Sequence, residues 1–347
     1  MKTPRKFLTG GIGLGIIVTA IVSVLFYSFT EKQNQPSPDE INKAMKEAYS
    51  KFKDVKEGKN ADYIPYLAKV DPNLYGISIV TVDGKIYEMG DTKFEFGIQS
   101  ISKVFTLAMA LEELGSTVIK DSIGVNATGL PFNSVTAIEL EGKLPQNPFV
   151  NAGAMATVSI LKPKNNQQEK WNKLDKYFDR FAGRDIKVIE DMYKSEAATN
   201  QHNEAIAVLL QSYNRLYDNP KVTLDVYTRQ CSFGTTAKDL AVMAATLANN
   251  GMNPVTKDNI VDGKYVPEIL SVMTTAGLYE NTGAWMYTVG LPAKSGVGGG
   301  IITVVPGVMG IAVFSPPLDK AGNSVKAQKT IEYIAEKLGL NLFTARK

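Results

Sequence analysis

The sequence predicts an α+β fold, with an antiparallel sheet flanked by helices, a helical subdomain, and one transmembrane helix ahead of them. Three observations support this prediction. A hairpin pattern lies near each end of the chain, helical periodicity dominates the residues between the hairpins, and an uncharged segment precedes both. Because the strands lie on either side of one long helical interval, we expect the sheet to be assembled from the two ends of the domain.

The uncharged segment covers residues 7–29, and Lys2, Arg5 and Lys6 precede it. A helix of this length crosses a bilayer at about 1.5 Å per residue, whereas the apolar core of a secretory signal is about 7–15 residues long. We therefore expect residues 1–30 to form a transmembrane anchor or uncleaved signal, with a cleaved signal as the alternative. The positive-inside rule then predicts a cytoplasmic N-terminus and a domain exported to the periplasmic or extracellular side.

A polar stretch with two prolines, residues 31–40, is predicted to be a linker. The rest of the chain, residues 41–347, shows no repeat and no low-complexity stretch, and we expect a single domain there. Its sheet is expected to come from about residues 41–99 and 273–347, and its helical insertion from about residues 105–270.

Two hairpins account for the predicted strands. Residues 75–89 contain two runs rich in β-branched and aromatic side chains, separated by an Asp-Gly dipeptide that is typical of a tight turn. Residues 301–314 repeat this arrangement around a Pro-Gly dipeptide. Helices are predicted at residues 101–114, 152–161, 196–214, 237–250 and 324–338.

Composition excludes several classes of function. The chain has 347 residues with 38 Lys+Arg and 35 Asp+Glu, a formal net charge of +3, so we expect no nucleic-acid partner. Its one cysteine, Cys231, and one histidine, His202, form neither a disulfide nor a Cys/His zinc site, and we expect no metal and no organic cofactor. A Ser-His-Asp hydrolase would have to use His202, and a Cys-His hydrolase would have to use Cys231 and His202 together. We expect instead that Cys231 is a buried thiol and that His202 lies on the surface of a helix.

Candidate catalytic residues lie at the start of a strongly apolar predicted helix, where Ser100 and Lys103 form an S-x-x-K motif. The spacing places both side chains on one helix face, one turn apart. A serine hydroxyl is a poor nucleophile until a base accepts its proton, and a lysine among apolar neighbours has a lowered pKa that suits this task. The motif is weak by itself, because the same spacing occurs twice elsewhere in the chain.

A second motif supports the first. Lys294-Ser295-Gly296 is the K-[ST]-G element that accompanies S-x-x-K in serine β-lactamases and penicillin-binding proteins, and it lies just before the second hairpin. The glycines, which continue to Gly300, let the backbone approach a substrate closely, and a backbone N–H there is suited to an oxyanion hole. The alternative is a glycine-rich turn without a catalytic role.

Eight blocks, in order along the chain, carry a more specific signal. They are ADYIPYLA (61–68), GDTKFEFGIQSISKVF (90–105), GLPFNS (129–134), NPFVNAGA (147–154), SEAATNQHNEAIA (195–207), YTRQCS (227–232), MTTAGLYENTGAW (273–285) and GLPAKSGVGGGI (290–301). From about Ile41 to Phe343 the sequence therefore resembles the serine-dependent glutaminases, amidohydrolases on a β-lactamase-like fold that convert L-glutamine to L-glutamate and ammonia. Two features depart from the family pattern: Gly97, where many members have a serine, and the N-terminal membrane segment.

The resemblance implies a role for each matching residue. It implies Ser100 as the nucleophile that forms a seryl acyl-enzyme, Lys103 as its base, and Tyr279 as the hydroxyl that shares their proton network. It implies Ser295 and Val297 as substrate contacts, the latter as an oxyanion donor through its backbone N–H together with that of Ser100. The remaining implied ligands, at the amino-acid end of L-glutamine, are Tyr63, Gln99, Asn151, Glu196, Asn203 and Tyr227. Relatives also imply a homo-oligomer, a dimer or tetramer.

Elementary chemistry agrees with this ligand set. Glutamine is a zwitterion, so its site needs an anion near the α-ammonium and neutral donors near the α-carboxylate. Glu196 and Asn203 lie seven residues apart on the helix predicted at residues 196–214, about 20° apart around its axis, which turns both towards one pocket. Without the resemblance, these residues are equally typical of a helix-dipole carboxylate and a solvated face, and Asn151 is typical of a helix N-cap.

The alternative function is that of a penicillin-binding or β-lactamase-type serine acyltransferase. An exported, membrane-tethered protein with S-x-x-K and K-S-G fits that role. Two observations disfavour it: the chain contains no S-D-N triplet, and Glu196 suits an ammonium group better than a terminal carboxylate. A glutamine-binding protein without catalysis is also disfavoured, because Ser100, Lys103 and Tyr279 are all present.

Overall fold

The central sheet has five strands in the order β2-β1-β7-β6-β5, and each neighbouring pair is antiparallel. The computed structural model describes residues 35–140, 142 and 144–344. Both predicted hairpins are confirmed, and β1 of the first pairs directly with β7 of the second. The strands are β1 (Gly76–Thr81), β2 (Ile86–Gly90), β3 (Phe96–Gly97), β4 (Gly234–Thr235), β5 (Ala293–Gly296), β6 (Gly300–Val305) and β7 (Met309–Phe314), with β3 and β4 forming a separate two-stranded sheet.

Helices supply most of the remaining structure, as predicted for an α+β fold. The α-helices are α1 (Pro38–Phe52), α2 (Pro65–Ala68), α3 (Ser102–Leu114), α4 (Ser116–Ser122), α5 (Val135–Leu140), α6 (Asn151–Ile160), α7 (Gln167–Ala182), α8 (Glu190–Ala197), α9 (Gln201–Ser212), α10 (Pro220–Cys231), α11 (Ala237–Ala248), α12 (Val266–Ala276), α13 (Thr282–Thr288) and α14 (Val325–Lys337). The predicted helices over 101–114, 152–161, 237–250 and 324–338 are confirmed as α3, α6, α11 and α14.

The sheet is buried on both faces, and its strands divide their side chains between two cores. Ile77 and Ile79 of β1 pack with α1 and α14, whereas Val80 packs with α11 and the helical subdomain. Helix α11 approaches the sheet closely because it is rich in alanine and faces Gly310 of β7, where a Cβ atom would lie 2.2 Å from the backbone nitrogen of Ala245. This close packing holds the sheet and the helical subdomain together beside the site.

The single helix predicted at residues 196–214 is wrong, because the chain forms α8 and α9 with a break between them. The Thr199 hydroxyl donates a hydrogen bond to the carbonyl oxygen of Ser195 in α8, and the Asn200 side chain accepts one from Asn203 at 2.7 Å. Such side-chain bonds offer the backbone an alternative to helix, which is typical of threonine and asparagine. Glu196 and Asn203 therefore lie on two helices, and the angle of about 20° does not apply.

The N-terminal predictions have two outcomes. Helix α1 begins at Pro38, inside the linker predicted at residues 31–40, because Ser37 and Glu40 form a capping box and proline is favoured in a first turn. The anchor predicted at residues 7–29 lies outside the described residues. Among the helices that the structure does describe, none is long and apolar enough to cross a membrane.

Candidate active site

The candidate nucleophile lies where a strained turn enters α3. Gln99 has φ 51°, in the left-handed region, and begins one turn of 3₁₀ helix that continues into α3. Residues other than glycine rarely adopt this conformation, and such strain is typical of functional sites. Ser100, in the same turn, is buried and lines a cavity of about 200 Å³.

Lys103 lies one turn further along α3 and is almost completely buried. Its Nζ donates to Oδ1 of Asn151 at 2.6 Å and to the carbonyl oxygen of Phe149 at 3.2 Å, and both of these partners are neutral. Burial lowers the pKa of Lys103 to about 8, against the opposing influence of Cys231 and Glu196. A lysine with this pKa is neutral often enough near pH 7 to act as a base.

Tyr279 lies on the other side of the candidate nucleophile. Its hydroxyl hydrogen-bonds with Ser100 and donates to the carbonyl oxygen of Ser295 at 3.1 Å. Its backbone has φ 55°, a second strained position in the same site. Burial raises the pKa of Tyr279, so the phenol stays protonated and passes a proton along the network only in exchange for another.

Lys294, the first residue of the K-S-G motif, is fully buried close to Tyr279. Its Nζ donates to the carbonyl oxygens of Gly277 at 3.0 Å and Ser295 at 2.7 Å, and it lies 4.4 Å from the ring centroid of Tyr279. Burial, then the charge of Lys103, holds the pKa of Lys294 well below its usual range. The position of Lys294 beneath the ring supports the strained Tyr279.

The turn between β5 and β6 approaches the backbone just before the candidate nucleophile. A Cβ on Gly298 would lie 2.4 Å from the carbonyl oxygen of Gly97, and one on Gly296 would lie 2.8 Å from that of Ile98. Only glycine fits at such distances. The residue between these two glycines, Val297, therefore lines the same cavity as Ser100, as an oxyanion donor requires.

A carboxylate and an amide meet in the wall of the same cavity. Glu196 is buried, and its Oε2 accepts a hydrogen bond from Nε2 of Gln99 at 2.9 Å. Burial raises the pKa of Glu196 to about 7, although the hydrogen bond from Gln99 and the charge of Lys103 lower it. A buried carboxylate without a cationic partner in contact is suited to an ammonium group of a ligand.

Three polar side chains of the cavity wall, Asn151, Tyr227 and Asn203, form one hydrogen-bonded network. Oδ1 of Asn151 accepts from the Tyr227 hydroxyl at 3.1 Å as well as from Lys103, and its amide nitrogen donates to Oδ1 of Asn203 at 3.0 Å. Asn151 is the first residue of α6 and makes no capping bond, so the N-cap interpretation is wrong. The network therefore connects Lys103, behind the wall, with residues that face the cavity.

Two residues lie at the rim. Tyr63 is 55% exposed, yet burial of its hydroxyl and the charge of Glu196 both raise its pKa. His202 is exposed, as predicted for a helix surface, and its Nε2 lies 2.7 Å from the carbonyl oxygen of Asn133.

Cys231 is buried, as predicted, and burial raises the pKa of its thiol to about 12, which leaves it unreactive.

Most residues predicted for the site are brought together. Those that line the cavity are Tyr63, Gln99, Ser100, Asn151, Glu196, Asn203, Tyr227 and Val297. Lys103 and Tyr279 lie directly behind this wall, in the contacts already described. Ser295 departs from its prediction as a substrate contact, because its side chain is fully buried and its carbonyl oxygen makes the contacts in the site.

Sequence reasoning missed several residues around the cavity. Phe132 lies within the quoted GLPFNS block and lines the cavity, and Asn200 lies in the unrecognised helix break. Lys294 is the first residue of the K-S-G motif, so the signal for it was present. Met192, which contacts Gln99 behind the cavity, had no signal in the sequence.

The fold and the site together define a class of protein. A serine and a desolvated lysine on one helix, beside an antiparallel sheet and a cavity that ends in a carboxylate, are typical of serine amidohydrolases that use lysine as their base. Among the described residues, no group of histidine, cysteine and carboxylate side chains is arranged to hold a metal ion.

Comparison with known proteins identifies the family. The family model described as Glutaminase matches residues 58–343, and the glutaminase of Colwellia psychrerythraea is 58% identical over 308 residues, 89% of this chain and 99% of that protein. The chain therefore belongs to the glutaminase family.

Solved structures agree with this assignment. That of the probable glutaminase YbaS has a TM-score of 0.88 and 47% identity, over 89% of this chain and 100% of that one. A probable glutaminase from Bacillus subtilis, complexed with 6-diazo-5-oxo-L-norleucine, has a TM-score of 0.76 and 30% identity over 88% of this chain and 95% of that one. The antiparallel sheet flanked by helices is thus the fold of the family.

The start of α6 provides a test of how tightly the site is held. A Cβ on Gly153 would lie 1.7 Å from the carbonyl oxygen of Asn147, so Gly153→Ala must displace the turn that carries Asn151. A shift of about 1 Å in a catalytic network costs on the order of 100-fold in rate, and we expect a loss of that size in kcat/KM for glutamine. Gly283→Ala is the matched control, because nothing lies within 4 Å of a Cβ there. Equal activity of the two variants would show that the close fit of Gly153 against Asn147 does not control the position of Asn151.

Proposed function

We propose that the protein hydrolyses the side-chain amide of L-glutamine to L-glutamate and ammonia through an acyl-enzyme on Ser100. The observation that carries this proposal is one cavity that is lined by Ser100 and by the buried carboxylate of Glu196, with Lys103 directly behind its wall. Glutamine has the matching groups, a reactive amide at one end and an ammonium at the other. Family membership supports the same substrate.

In the first half of the reaction, the Ser100 hydroxyl loses its proton to Lys103, assisted by Tyr279, as its oxygen attacks the amide carbon of glutamine. The carbonyl becomes a tetrahedral oxyanion, which the backbone N–H groups of Ser100 and Val297 stabilise. When the carbon–nitrogen bond breaks, the proton held by Lys103 passes to the departing nitrogen. Ammonia leaves, and a glutamyl ester remains on Ser100.

In the second half, water replaces ammonia. Lys103 accepts a proton from the water molecule as its oxygen attacks the ester carbon, and the same two N–H groups stabilise the second oxyanion. Collapse of this intermediate releases L-glutamate and returns the proton to the Ser100 oxygen. Because the chain's own residues supply both nucleophile and base, this route uses no metal and no organic cofactor.

Recognition of the amino-acid end rests on charge and on oriented amides. We assign the α-ammonium to Glu196 with Gln99 beside it, because both residues line the cavity, are buried and carry oxygen acceptors. The α-carboxylate is assigned to neutral donors, the Asn203 amide and the hydroxyls of Tyr63 and Tyr227. The Bacillus subtilis structure supports this assignment, since its ligand is an amino acid with a reactive group in place of the amide.

We propose that the catalytic domain is exported and tethered to the membrane by residues 7–29. The supporting observations are the uncharged length of this segment and the positive charges of Lys2, Arg5 and Lys6 ahead of it. Membrane fractionation of the full chain with alkaline extraction decides between an integral anchor and a removed signal. Release of the protein into the soluble fraction would contradict the anchor.

We also propose that the protein is a homo-oligomer, a dimer or tetramer. The support is the match of the glutaminase family model to residues 58–343, because the resemblance to this family implies a homo-oligomer. Light scattering of the domain starting near Gln35, which keeps the Ser37 cap of α1, measures its mass directly, and a monomer across the working concentration range would contradict the proposal.

Substitution of the candidate nucleophile tests the reaction. Ser100→Ala is expected to fold and to lose glutamine hydrolysis by about 10⁴-fold or more, because no ester forms without the hydroxyl. The measurement is ammonia release with glutamine and asparagine side by side. Ser50→Ala, an exposed serine of α1 with the same S-x-x-K spacing, is the control and should keep full activity. Ser100→Ala activity within tenfold of wild type would disprove the assignment, and labelling of wild type by a fluorescent penicillin would favour the alternative acyltransferase.

The pH profile tests the base. Lys103 must be neutral to accept a proton, and its pKa is about 8, so kcat should rise with pH through an apparent pKa near that value. Because Tyr279 shares the network, the observed pKa belongs to the coupled pair. Glu196, with a pKa of about 7, must be ionised to bind the ammonium, so KM should rise as the pH falls below 7.

Substitution of Lys103 tests the base directly. The arginine of Lys103→Arg is permanently charged, so this variant should be as inactive as Lys103→Ala. An active arginine variant would show that this residue is not the base.

Glu196 is tested through selectivity. Glu196→Gln removes a charge-assisted bond to the ammonium that is worth about 1.5–3 kcal/mol, roughly a 10- to 150-fold loss of kcat/KM for glutamine. The preference for glutamine over its N-acetyl derivative should narrow, because wild type rejects the derivative partly by leaving the carboxylate unpaired. A thermal melt completes the experiment. An unchanged preference together with a lowered Tm would mean that Glu196 is a structural carboxylate.

A further inference from the structure

The contact between Gly97 and Met192 lies directly behind the amino-acid end of the site. Met192 of α8 is fully buried, and Gly97 is buried in β3. A Cβ on Gly97 would lie 2.1 Å from Cε and 2.3 Å from Sδ of Met192, closer than atoms approach in proteins. The backbone of Gly97 is not left-handed, so glycine is favoured here by the position of the Met192 side chain and not by backbone conformation.

The space that Gly97 leaves is occupied by the thioether, which reaches the side chain of Gln99. Nε2 of Gln99 lies 3.7 Å from Sδ of Met192 and 2.9 Å from Oε2 of Glu196. An amide nitrogen carries two hydrogens, and each therefore has an acceptor. Gln99 is itself 3% exposed and lines the cavity.

These two acceptors determine which way the amide of Gln99 is turned. A thioether and a carboxylate accept hydrogen bonds but do not donate them. If the amide were reversed, Oε1 would face the sulfur of Met192 and the carboxylate of Glu196, and three acceptors would meet without a hydrogen between them. The contact pair therefore holds Oε1 on the side away from both partners.

We propose that Met192 is a positioning residue for substrate binding: its sulfur holds the Gln99 amide so that Oε1 is presented to the ammonium of glutamine, and Gly97 supplies the space that this requires. The proposal rests on the binding roles proposed for Gln99 and Glu196. A carbonyl oxygen accepts from an ammonium group, whereas an amide nitrogen would meet it donor to donor. Met192 acts only through Gln99.

Met192→Leu tests the role of the sulfur, because leucine conserves volume and such exchanges are tolerated in cores. KM for glutamine should rise roughly three- to tenfold while kcat stays within about twofold, as expected for the loss of one neutral hydrogen bond that acts on binding. The second readout is the ratio of the inhibition constants of glutarate and L-glutamate, which differ by the amine. This ratio should decrease in the variant, because the amine loses an oriented acceptor.

Met243→Leu is the matched control, since Met243 is fully buried in α11 against the sheet. It should leave KM and the inhibition ratio unchanged. Equal losses for glutarate and L-glutamate in Met192→Leu, or a lowered Tm with an unchanged ratio, would overturn the proposal, because a purely structural methionine behaves in this way. An unchanged KM and ratio would overturn it as well.

A double-mutant cycle tests the spatial part and remains informative if Met192→Leu fails to fold. Gly97→Ala should displace the flexible end of the Met192 side chain and raise KM by itself, and Gly97→Ala with Met192→Val should raise KM no further, because both changes remove the same contact. A wild-type KM in either variant, or a further rise of KM in the double variant, would overturn the proposal. Wild type and Glu196→Gln are measured alongside, so that a failure of the proposed function can be distinguished. If wild type does not hydrolyse glutamine, the proposed function is wrong. If the ratio of inhibition constants is unchanged in Glu196→Gln, Glu196 does not bind the ammonium group.

Discussion

The site depends on one constraint: the amine of Lys103 is held away from water with only neutral oxygen atoms in contact. The oxygens come from Phe149 and Asn151, at the point where the chain enters α6, so α3 and α6 must be fixed against each other for the contact to exist. Desolvation disfavours the charged amine, and a carboxylate in direct contact would restore it. Three features keep water away from the Lys103 amine: the buried helices α3 and α6, the close approach at Gly153, and the amide network of Asn151.

Burial also shifts the pKa of Glu196, but it raises the pKa of this carboxyl whereas it lowers the pKa of Lys103. Glu196 is desolvated and touches an amide, not a cation, so the free protein contains a carboxylate whose charge is only partly compensated. Under the proposed function, the ammonium group of glutamine supplies the missing positive charge. The amides of Gln99, Asn151 and Asn203 suit this design because they orient a ligand and add no charge of their own.

Sequence patterns predicted the parts whose signal is local or has a characteristic spacing. Both hairpins and the capped helix α14 follow from turn chemistry and periodicity, and the pair of Ser100 and Lys103 follows from the S-x-x-K spacing. The break between α8 and α9 lies in the polar run of residues 199–204, which is also compatible with a solvated helix face. The helix ends there because Asn200 bonds locally with Asn203 and, through its amide nitrogen, with the distant Thr228. The contact between Gly97 and Met192 was missed for a related reason: nothing in either segment indicates that the two approach each other.

The pairing of β1 with β7 has a consequence for how the protein reaches its native state. Gly76 lies opposite Phe314, so the middle of the sheet joins segments that are separated by almost the entire domain. Synthesis begins at the N-terminus, and the first hairpin is complete long before its central neighbour exists. Until then one edge of β1 is unpaired and its apolar residues lack their partners. High contact order of this kind slows folding, and it makes the nascent hairpin the segment most in need of a chaperone.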